Sequence, residues 1–349
     1  MAAKSKKASE GSQVLREAIA KLMEGRDLSR EESRLVMREI MEKKATDAQI
    51  SAYLVALRMK GETVDEVTGS AEAFAHTGQM EIQDANVVDI CGTGGDNLHT
   101  FNISTTAAFV AAGAGVTVAK HGHRSVSSRC GSADLLQALG VNINVPRERV
   151  KECLNTIGIG FFFDPKFHKA WHYALGPRQE IGARTIFNIM GPLTNPARIR
   201  RQVIGVYDPT LMPLIARVMK ELGAKHVMVV HGSDGLDEIT ITGPTRTFEL
   251  FDGEIKEYEI NPEDYQLSIS DLQYIQSHSC NENVRYLQRV LDGEHGPARD
   301  VVLLNAGAAI KVSGKAKDLQ GGIRMAVESI ESGAAKEKVQ KLIELSNRH

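Results

Sequence analysis

The chain has 349 residues and a mass of 38.1 kDa; 42% of its residues are apolar and 25% are charged. This composition allows a sizeable core, excludes wholesale disorder and, by length, predicts two domains or one large one. Lys and Arg number 42 and Asp and Glu 44, so the formal net charge is −2. A near-neutral chain has no global field to hold nucleic acid or an anionic membrane, and we expect neither as a partner.

The four cysteines lie far apart in the sequence and include no CxxC pair; they are Cys91, Cys130, Cys153 and Cys280. Their spacing excludes the usual zinc patterns and a disulfide-rich scaffold, and it favours a reducing compartment, the cytoplasm. Residues 1–11 carry lysines but no apolar segment follows them. We therefore expect a flexible tail there and neither a signal peptide nor a membrane anchor.

The first part of the chain predicts helices only. Capping boxes begin at Ser29, Thr46 and Thr63, and each precedes apolar residues at helical spacing. An earlier apolar stripe, with Leu15 and Leu22, predicts one more helix. We expect a small helical bundle domain over residues 12–84.

The pattern changes at Asn86 to alternating strands and helices. A short strand, a glycine-rich loop, an alanine-rich helix and a second strand form a βαβ unit. Further predicted elements are a helix over 134–139, an extended segment over 141–145, a helix over 146–157, strands over 159–163 and 202–207, a helix over 211–222, a strand over 227–231 and helices over about the last 50 residues. Residues 234–270 are polar, with short alternating runs such as 246–251. The fold class is therefore α/β: the small bundle plus a larger domain over 85–166 and 201–349, with a mostly parallel sheet flanked by helices. Residues 167–200 interrupt the alternation and are predicted to return to the bundle.

A glycine-rich loop, Gly92-Thr93-Gly94-Gly95-Asp96, follows the first predicted strand and leads to Asn102-Ile103-Ser104-Thr105, which opens a helix. Glycines allow a ligand close to the backbone, and a helix N-terminus offers unpaired N–H donors, so the pattern favours an anion site such as a phosphate cradle. The alternative is a tight turn with a hydroxyl helix cap. A carboxylate repels phosphate, so Asp96 is predicted to accept from a hydroxyl or a loop amide.

A second polar segment, residues 120–134, follows the next strand and holds three cations, two histidines and four serines. Ligands of open α/β sheets bind beyond the carboxyl ends of the strands, where this loop and the glycine loop converge. The segment therefore favours a second phosphate group, and a solvated basic loop is the alternative.

Two further features remain. Asp237-Glu238 is either a solvated turn or a site for Mg²⁺, which takes oxygen ligands from one or two carboxylates and from substrate phosphates. Residues 184–196 read as a structural turn in which Gly191-Pro192 and Asn195-Pro196 act as breakers.

Together these motifs resemble, in order and spacing, those of the anthranilate phosphoribosyltransferase family of tryptophan biosynthesis, from about residue 12 to the end. The resemblance implies a helical domain joined to an α/β domain, an active site in the cleft between them, and a homodimer assembled through the helical domain. It implies transfer of the phosphoribosyl group of phosphoribosyl pyrophosphate (PRPP) to the amine of anthranilate, giving N-(5-phosphoribosyl)anthranilate and pyrophosphate with Mg²⁺ as cofactor.

The resemblance also implies the site residues. The donor-binding set is Gly92, Gly95, Asp96, Thr100, Asn102, Ile103, Ser104, Thr105, Lys120, His121, Gly122, His123, Arg124, Ser125, Val126, Ser127, Ser128 and Ser132. The metal set is Ser104, Asp237 and Glu238, and the anthranilate set is Gly92, His123 and Arg178. An aniline-type amine is neutral near neutral pH, so no catalytic base is assigned and catalysis rests on positioning and electrostatics. The chain departs from the family pattern at His123, where the family has an Asn that contacts anthranilate.

Two alternative functions remain at this point. A pyrimidine nucleoside phosphorylase has a similar fold and a phosphate loop like residues 120–134, but it needs no Mg²⁺, and Asp237-Glu238 and the chain length argue against it. A non-catalytic relative that binds nucleic acid would have a basic face, which the net charge of −2 opposes.

Overall fold

The computed structural model describes residues 11–75, 80, 82, 84–124, 129–163 and 171–348. The tail predicted over residues 1–11 lies outside this range except for its last residue. Contacts among the described residues divide the chain into two compact units. The smaller unit takes 11–75 and 171–190, and the larger unit takes the remaining described residues.

The smaller unit is helical, as predicted. Its helices are Gln13–Met23, Arg30–Met41, Asp47–Lys60, Val64–Ala75 and Trp171–Ile181. All three predicted capping boxes form; in the first, Glu32 N donates to Ser29 Oγ at 3.2 Å and Ser29 N donates to Glu32 Oε2 at 2.7 Å. Each box satisfies backbone donors that a helix start leaves unpaired. The apolar stripes that follow meet in a core around Tyr53, which is fully buried.

The larger unit contains a seven-stranded sheet. Its strands are β1 Val88–Gly92, β2 Val118–Gly122, β3 Ile159–Phe163, β4 Arg201–Gly205, β5 His226–Gly232, β6 Thr245–Phe251 and β7 Glu254–Ile260, in the order β3-β2-β1-β4-β5-β6-β7. The first five run parallel, and β6 and β7 add an antiparallel hairpin at one edge. The mostly parallel sheet is confirmed. β3 is buried along its whole length, which explains why it reads as a continuous apolar run.

Helices of the larger unit flank this sheet. They are Ile103–Gly113, Ser132–Ala138, Arg147–Ile157, Met212–Glu221, Cys280–Leu291, Pro297–Ser313, Leu319–Glu331 and Ala334–Asn347, with short 3₁₀ helices at Pro209–Leu211, Pro262–Tyr265 and Leu272–Tyr274. A further helix, Phe187–Leu193, crosses the boundary in sequence between the two units. None of the helices described is long and apolar enough to cross a membrane.

One predicted extended segment is wrong. Residues 141–145 form a turn, although Val141, Ile143 and Val145 are buried as a strand would bury them. Asn142 Oδ1 accepts from Asn144 N at 3.0 Å, and Asn142 N donates to Ser346 Oγ at 3.0 Å. These side-chain hydrogen bonds take the place of the backbone hydrogen bonds that a strand would form. The alternation of apolar residues alone did not predict them.

The segment predicted to return to the bundle also ends earlier than residue 200, because residues 191–200 belong to the larger unit. Asn195 explains this difference: its Nδ2 donates to Asp89 Oδ2 at 2.9 Å and to Ala119 O at 3.0 Å, on β1 and β2. Gly191-Pro192 lies inside the helix Phe187–Leu193 and does not break it.

The cysteines require a correction as well. Cys130 and Cys280 form a disulfide with a Cα–Cα distance of 5.1 Å, while Cys91 and Cys153 are free and buried. Spacing in sequence did not predict this bond, because 150 residues separate its two ends.

Candidate functional site

Two glycines at the carboxyl end of the sheet make room for an acidic turn. Gly92 ends β1 and pairs in register with Gly205 at the end of β4. A Cβ atom on Gly92 would lie 2.2 Å from Asp237 Oδ2, and one on Gly205 would lie 1.5 Å from the Asp237 carbonyl oxygen. Both positions therefore require glycine so that Asp237 can reach the strand ends.

The acidic pair binds the two backbone features that sequence analysis assigned to anion binding. Asp237 Oδ2 accepts from Gly94 N at 2.6 Å, and Glu238 Oε1 accepts from Ser104 N at 3.2 Å. Both carboxylates are buried. The structure thus brings together the glycine loop, the N-terminus of the helix Ile103–Gly113 and the acidic pair, which lies more than 130 residues away in sequence.

Burial and mutual repulsion make this pair costly to ionise. Burial raises the pKa of Glu238 to about 7, although Lys120 and a hydrogen bond from Ser104 lower it. Burial also raises the pKa of Asp237, and the nearby carboxylates of Asp96 and Glu238 raise it further. A cation at this position would relieve the repulsion among the three carboxylates.

The residues present fit a magnesium ion that is shared with a substrate. No group of three or more His, Cys, Asp or Glu side chains with metal-binding geometry occurs among the residues described. Mg²⁺ normally keeps several waters and takes one or two carboxylates plus substrate phosphates. Asp237, Glu238 and the Ser104 hydroxyl are oxygen donors of this kind.

Lys120 supplies positive charge beside the acidic pair. Its side chain is buried, and its Nζ donates to Ile90 O at 2.6 Å and to Ser104 Oγ at 3.3 Å. This buried ammonium group lies beside the glycine loop and the helix start, so it can pair with an anionic ligand bound there.

The helix N-terminus leaves polar atoms unused. Asn102 Oδ1 and Thr105 Oγ1 are buried and have no hydrogen-bond partner among the residues described. Such atoms are costly without a partner, which supports a ligand with hydroxyl or phosphate groups. The Ile103 side chain is 1% exposed and packs in the hydrophobic core, so its predicted donor contact stays a prediction for the backbone alone.

Three more predicted donor residues lie in the glycine loop or shortly after it. Asp96 Oδ1 accepts from Leu98 N at 3.1 Å, so it is the partner of a loop amide, one of its two predicted roles. Thr100 forms an isolated bridge with Gln276. Gly95 has a φ of +86°, a left-handed conformation that favours glycine.

The second predicted loop is described in part. The backbone N–H of buried His121 donates to Asp89 Oδ1 at 3.2 Å, and a Cβ on Gly122 would lie 2.1 Å from Ser132 Oγ, so Ser132 lies close against the end of β2. Arg124 donates to Asp134 and Gln137, each at 2.8 Å, and so binds the helix Ser132–Ala138. Four predicted donor residues lie outside the described residues: Ser125, Val126, Ser127 and Ser128.

The predicted anthranilate residues belong to different units. His123 lies in the larger unit, is exposed, and has its Nδ1 2.7 Å from Arg124 O. Arg178 lies in the smaller unit, with its guanidinium 5.2 Å from the centre of the Phe187 ring. Burial lowers the pKa of Arg178, which nonetheless remains a cation suited to an aromatic carboxylate.

Sequence reasoning missed a buried asparagine that supports the acidic turn. Asn305 Oδ1 accepts from Ile239 N at 3.0 Å, and its Nδ2 donates to Ile239 O and Val301 O, each at 2.8 Å. Ile239 directly follows Glu238, so Asn305 fixes the backbone beside the acidic pair. An amide inside the otherwise apolar stretch 301–310 was the available signal.

Comparison with known proteins defines the class. The family model described as "Glycosyl transferase family, helical bundle domain" matches residues 16–78, and the one described as "Glycosyl transferase family, a/b domain" matches residues 84–336. With a helical bundle followed by an α/β domain, the chain is therefore a two-domain glycosyl transferase.

Within that class, the chain belongs to the anthranilate phosphoribosyltransferase family. It is 52% identical over 331 residues to anthranilate phosphoribosyltransferase from Anaeromyxobacter dehalogenans strain 2CP-1, covering 95% of this chain and 98% of the relative. It is 49% identical over 334 residues to that from Alkaliphilus metalliredigens, with the same coverage.

Solved structures agree with this assignment. The crystal structure of the Thermus thermophilus enzyme is similar with a TM-score of 0.90 and 38% identity, covering 95% of this chain and 99% of that chain. The Saccharomyces cerevisiae enzyme, solved in complex with PRPP and Mg, has a TM-score of 0.87 and 28% identity, covering 96% of this chain and 98% of that chain.

Proposed function

We propose that this protein transfers the phosphoribosyl group of PRPP to the amine of anthranilate, releasing pyrophosphate, in tryptophan biosynthesis. The observation that carries the proposal is the acidic pair: Asp237 and Glu238 accept from Gly94 and Ser104, so carboxylates, glycine loop and helix N-terminus converge on one place. Relatives at about half identity over 95% of the chain favour this reaction over the phosphorylase and nucleic-acid alternatives.

The donor site uses hydroxyl groups and positive charge for the phosphates. Ser104 and Thr105 offer hydroxyl groups at the positive end of the helix dipole, and Lys120 supplies a buried positive charge. Asn102 Oδ1 is available to accept from a ribose hydroxyl. These groups hold PRPP so that its C1 faces the acceptor, and positive charge develops there as pyrophosphate departs.

Mg²⁺ would be held by Ser104, Asp237 and Glu238, where it would neutralise the leaving pyrophosphate as a Lewis acid. A related structure from Saccharomyces cerevisiae in complex with PRPP and Mg supports this cofactor.

The acceptor needs orientation more than activation, because a neutral aromatic amine is already a nucleophile. Arg178 is assigned to the anthranilate carboxylate, with Gly92 and His123 as further contacts. A related structure in complex with 4-fluoroanthranilate supports an aromatic amine of this kind as ligand. Positioning of the two substrates then supplies most of the rate enhancement.

We also propose a homodimer assembled through the helical unit. That unit exposes large apolar side chains, with Met59 84% exposed, Met23 78% and Val55 40%. Exposed apolar groups of this size favour an interface, and a symmetric dimer is the commonest outcome. Sedimentation of the native protein should give twice the chain mass, and Met59→Glu should give the single chain.

The cytoplasm is the proposed compartment. PRPP carries several ionised phosphates and cannot cross a lipid bilayer unaided, so the enzyme must work where this donor is made. The Cys130–Cys280 bond is then unusual, because cytosolic thiols are mostly kept reduced.

The proposed function is tested by offering two substrate pairs to the purified protein. PRPP with anthranilate and Mg²⁺ should release pyrophosphate, while a pyrimidine nucleoside with phosphate should release no base. Release of base without metal, and no pyrophosphate from the first pair, would instead identify a nucleoside phosphorylase.

A further inference from the structure

A segment distant in sequence lies along residues 97–101, which continue the glycine loop to the helix Ile103–Gly113. Phe101 N donates to Ile275 O at 2.9 Å, and Ser277 N donates to His99 O at 2.8 Å. Gln276 Nε2 donates to Leu98 O at 2.9 Å. Residues 275–277 therefore pair with this stretch, and the helix Cys280–Leu291 begins three residues later.

Asn283, in the first turn of that helix, fixes Asn102 at the end of this stretch. Its side chain is 3% exposed. Asn283 Oδ1 accepts from Asn102 N at 2.8 Å, and its Nδ2 donates to Ser277 Oγ at 2.8 Å and Ser279 O at 2.9 Å. Both N–H groups of this amide are used, so Asn283 holds Asn102 in one position, two residues before Ser104.

The same turn is bonded covalently to the end of the second predicted segment. Cys280 forms a disulfide with Cys130, which lies two residues before the helix Ser132–Ala138. Asn102 Nδ2 also donates to Cys130 O at 3.1 Å, which connects these two residues directly. The Phe101 and Tyr286 rings stack with their centres 4.8 Å apart, adding a further contact between residues 97–101 and this helix.

We propose that the first turn of the helix Cys280–Leu291 positions two points of the donor site, Asn102 by its hydrogen bond to Asn283 and Cys130 by its disulfide to Cys280. The inference rests on the proposed function, since it takes this site to bind PRPP. Asn283 and Cys280 are positioning residues, because they act on the donor site through Asn102 and Cys130.

The disulfide makes this positioning sensitive to reduction. In exchange with a dithiol, the Sγ–Sγ bond breaks and two electrons and two protons pass to Cys130 and Cys280, while the dithiol closes to its own disulfide. Cys130 then loses its covalent link to the helix, and its carbonyl oxygen is held less firmly against Asn102 Nδ2. Because the donor site is then less well pre-organised around Asn102, reduction weakens PRPP binding and leaves anthranilate binding nearly unchanged.

The first measurement uses the wild-type protein before and after treatment with dithiothreitol, which is removed before assay. Alkylation and peptide mass mapping should show Cys130 and Cys280 joined before treatment and free after it. The KM for PRPP should rise about three- to tenfold on reduction, and the KM for anthranilate should stay within about twofold.

Variants separate positioning from general damage. Cys280→Ala should show the raised KM for PRPP without any reductant and should not respond to dithiothreitol. Asn283→Ala should raise the KM for PRPP by at least about tenfold, again sparing that for anthranilate. Cys153→Ala, which removes a buried free thiol elsewhere, should match the wild type with and without reductant.

Three results would overturn the inference: free thiols at both positions in untreated protein, a KM for PRPP that is unchanged in fully reduced enzyme, or equal rises in both KM values. Failure of the proposed function would look different. The mapped disulfide would still be present, but neither form of the enzyme would release pyrophosphate from PRPP with anthranilate.

Discussion

Asp237 is the residue on which the contacts of the site converge. Its carboxylate meets Gly94 N, and the space for it is left by glycines at positions 92 and 205. Burial raises the pKa of Asp237, and the carboxylates of Asp96 and Glu238 raise it further, so nearby positive charge favours its ionised form. This one side chain therefore connects the local fold with the proposed metal site.

Asp237→Asn and Glu238→Gln test the pair with little change of shape. Each removes a charged oxygen ligand, so we expect turnover to fall by at least about a hundredfold and the Mg²⁺ concentration for half-maximal activity to rise. Steady-state rates over a Mg²⁺ titration measure both effects. Asp252→Asn, an exposed residue in the β6–β7 turn, should leave them unchanged. Normal Mg²⁺ dependence in both site variants would show that the pair is only a structural turn.

Arg178→Ala tests the acceptor assignment. Loss of a charge-assisted hydrogen bond should cost about 1.5–3 kcal/mol, so the KM for anthranilate should rise roughly tenfold to a hundredfold. The KM for PRPP should barely change, because the donor groups lie on other residues. Arg178→Lys keeps the charge over Phe187 and should recover part of the loss. Equal effects on the two KM values would remove Arg178 from the acceptor site.

At the scale of elements, the helix Pro297–Ser313 fixes the acidic turn through Asn305. Asn305→Ala leaves the N–H and C=O of Ile239 without this partner, and each buried unsatisfied group costs about 1–3 kcal/mol. We expect a lower melting temperature together with a raised Mg²⁺ requirement. Ser329→Ala is the matched control, because it removes a buried hydrogen bond to Val110 far from the turn. Ser329→Ala should lower stability but give the same Mg²⁺ titration as the wild type. A Mg²⁺ titration of Asn305→Ala that matches the wild type would contradict the role of Asn305.

The antiparallel edge of the sheet carries a pH-dependent contribution to stability. Burial raises the pKa of Glu249, but hydrogen bonds from His226 and Lys311 outweigh it and lower the pKa to about 2. The folded-state pKa is below that of the unfolded chain, so the stabilisation is complete above about pH 4.5 and is lost as the pH falls towards 2.

After allowance for solvent screening, we expect Glu249 to account for up to about 2 kcal/mol of the loss in unfolding free energy over that range. Urea unfolding of the wild type and Glu249→Gln at several pH values measures it, and the variant should lose less on acidification. Glu257→Gln, an exposed partner of Arg246 on the same hairpin, should follow the wild type. Parallel curves for all three proteins would contradict this assignment.

The sequence predicted those elements whose signals are local. Capping boxes at Ser29, Thr46 and Thr63 and the apolar run of β3 depend only on neighbouring residues, and all of them form. The extended segment predicted over 141–145 was wrong because side-chain hydrogen bonds from Asn142 decide its conformation.

At the scale of the whole molecule, the missing information is long-range. The glycine loop and the acidic pair could each be recognised from sequence and from family resemblance, and the structure brings them into contact. The disulfide, Asn283 and Asn305 could not be assigned in this way, because the partners that connect them to the site are 66 to 181 residues distant. The contacts that support a site depend on tertiary packing, which is hard to predict from a single sequence.

The central claim, phosphoribosyl transfer to anthranilate, is tested most directly by the stoichiometry of the products. PRPP, anthranilate and Mg²⁺ are incubated with the enzyme, pyrophosphate is quantified, and the anthranilate product is identified by its mass. We predict equal amounts of pyrophosphate and N-(5-phosphoribosyl)anthranilate, with neither formed when anthranilate is omitted. Pyrophosphate released at the same rate without anthranilate, or anthranilate recovered unchanged, would contradict the account.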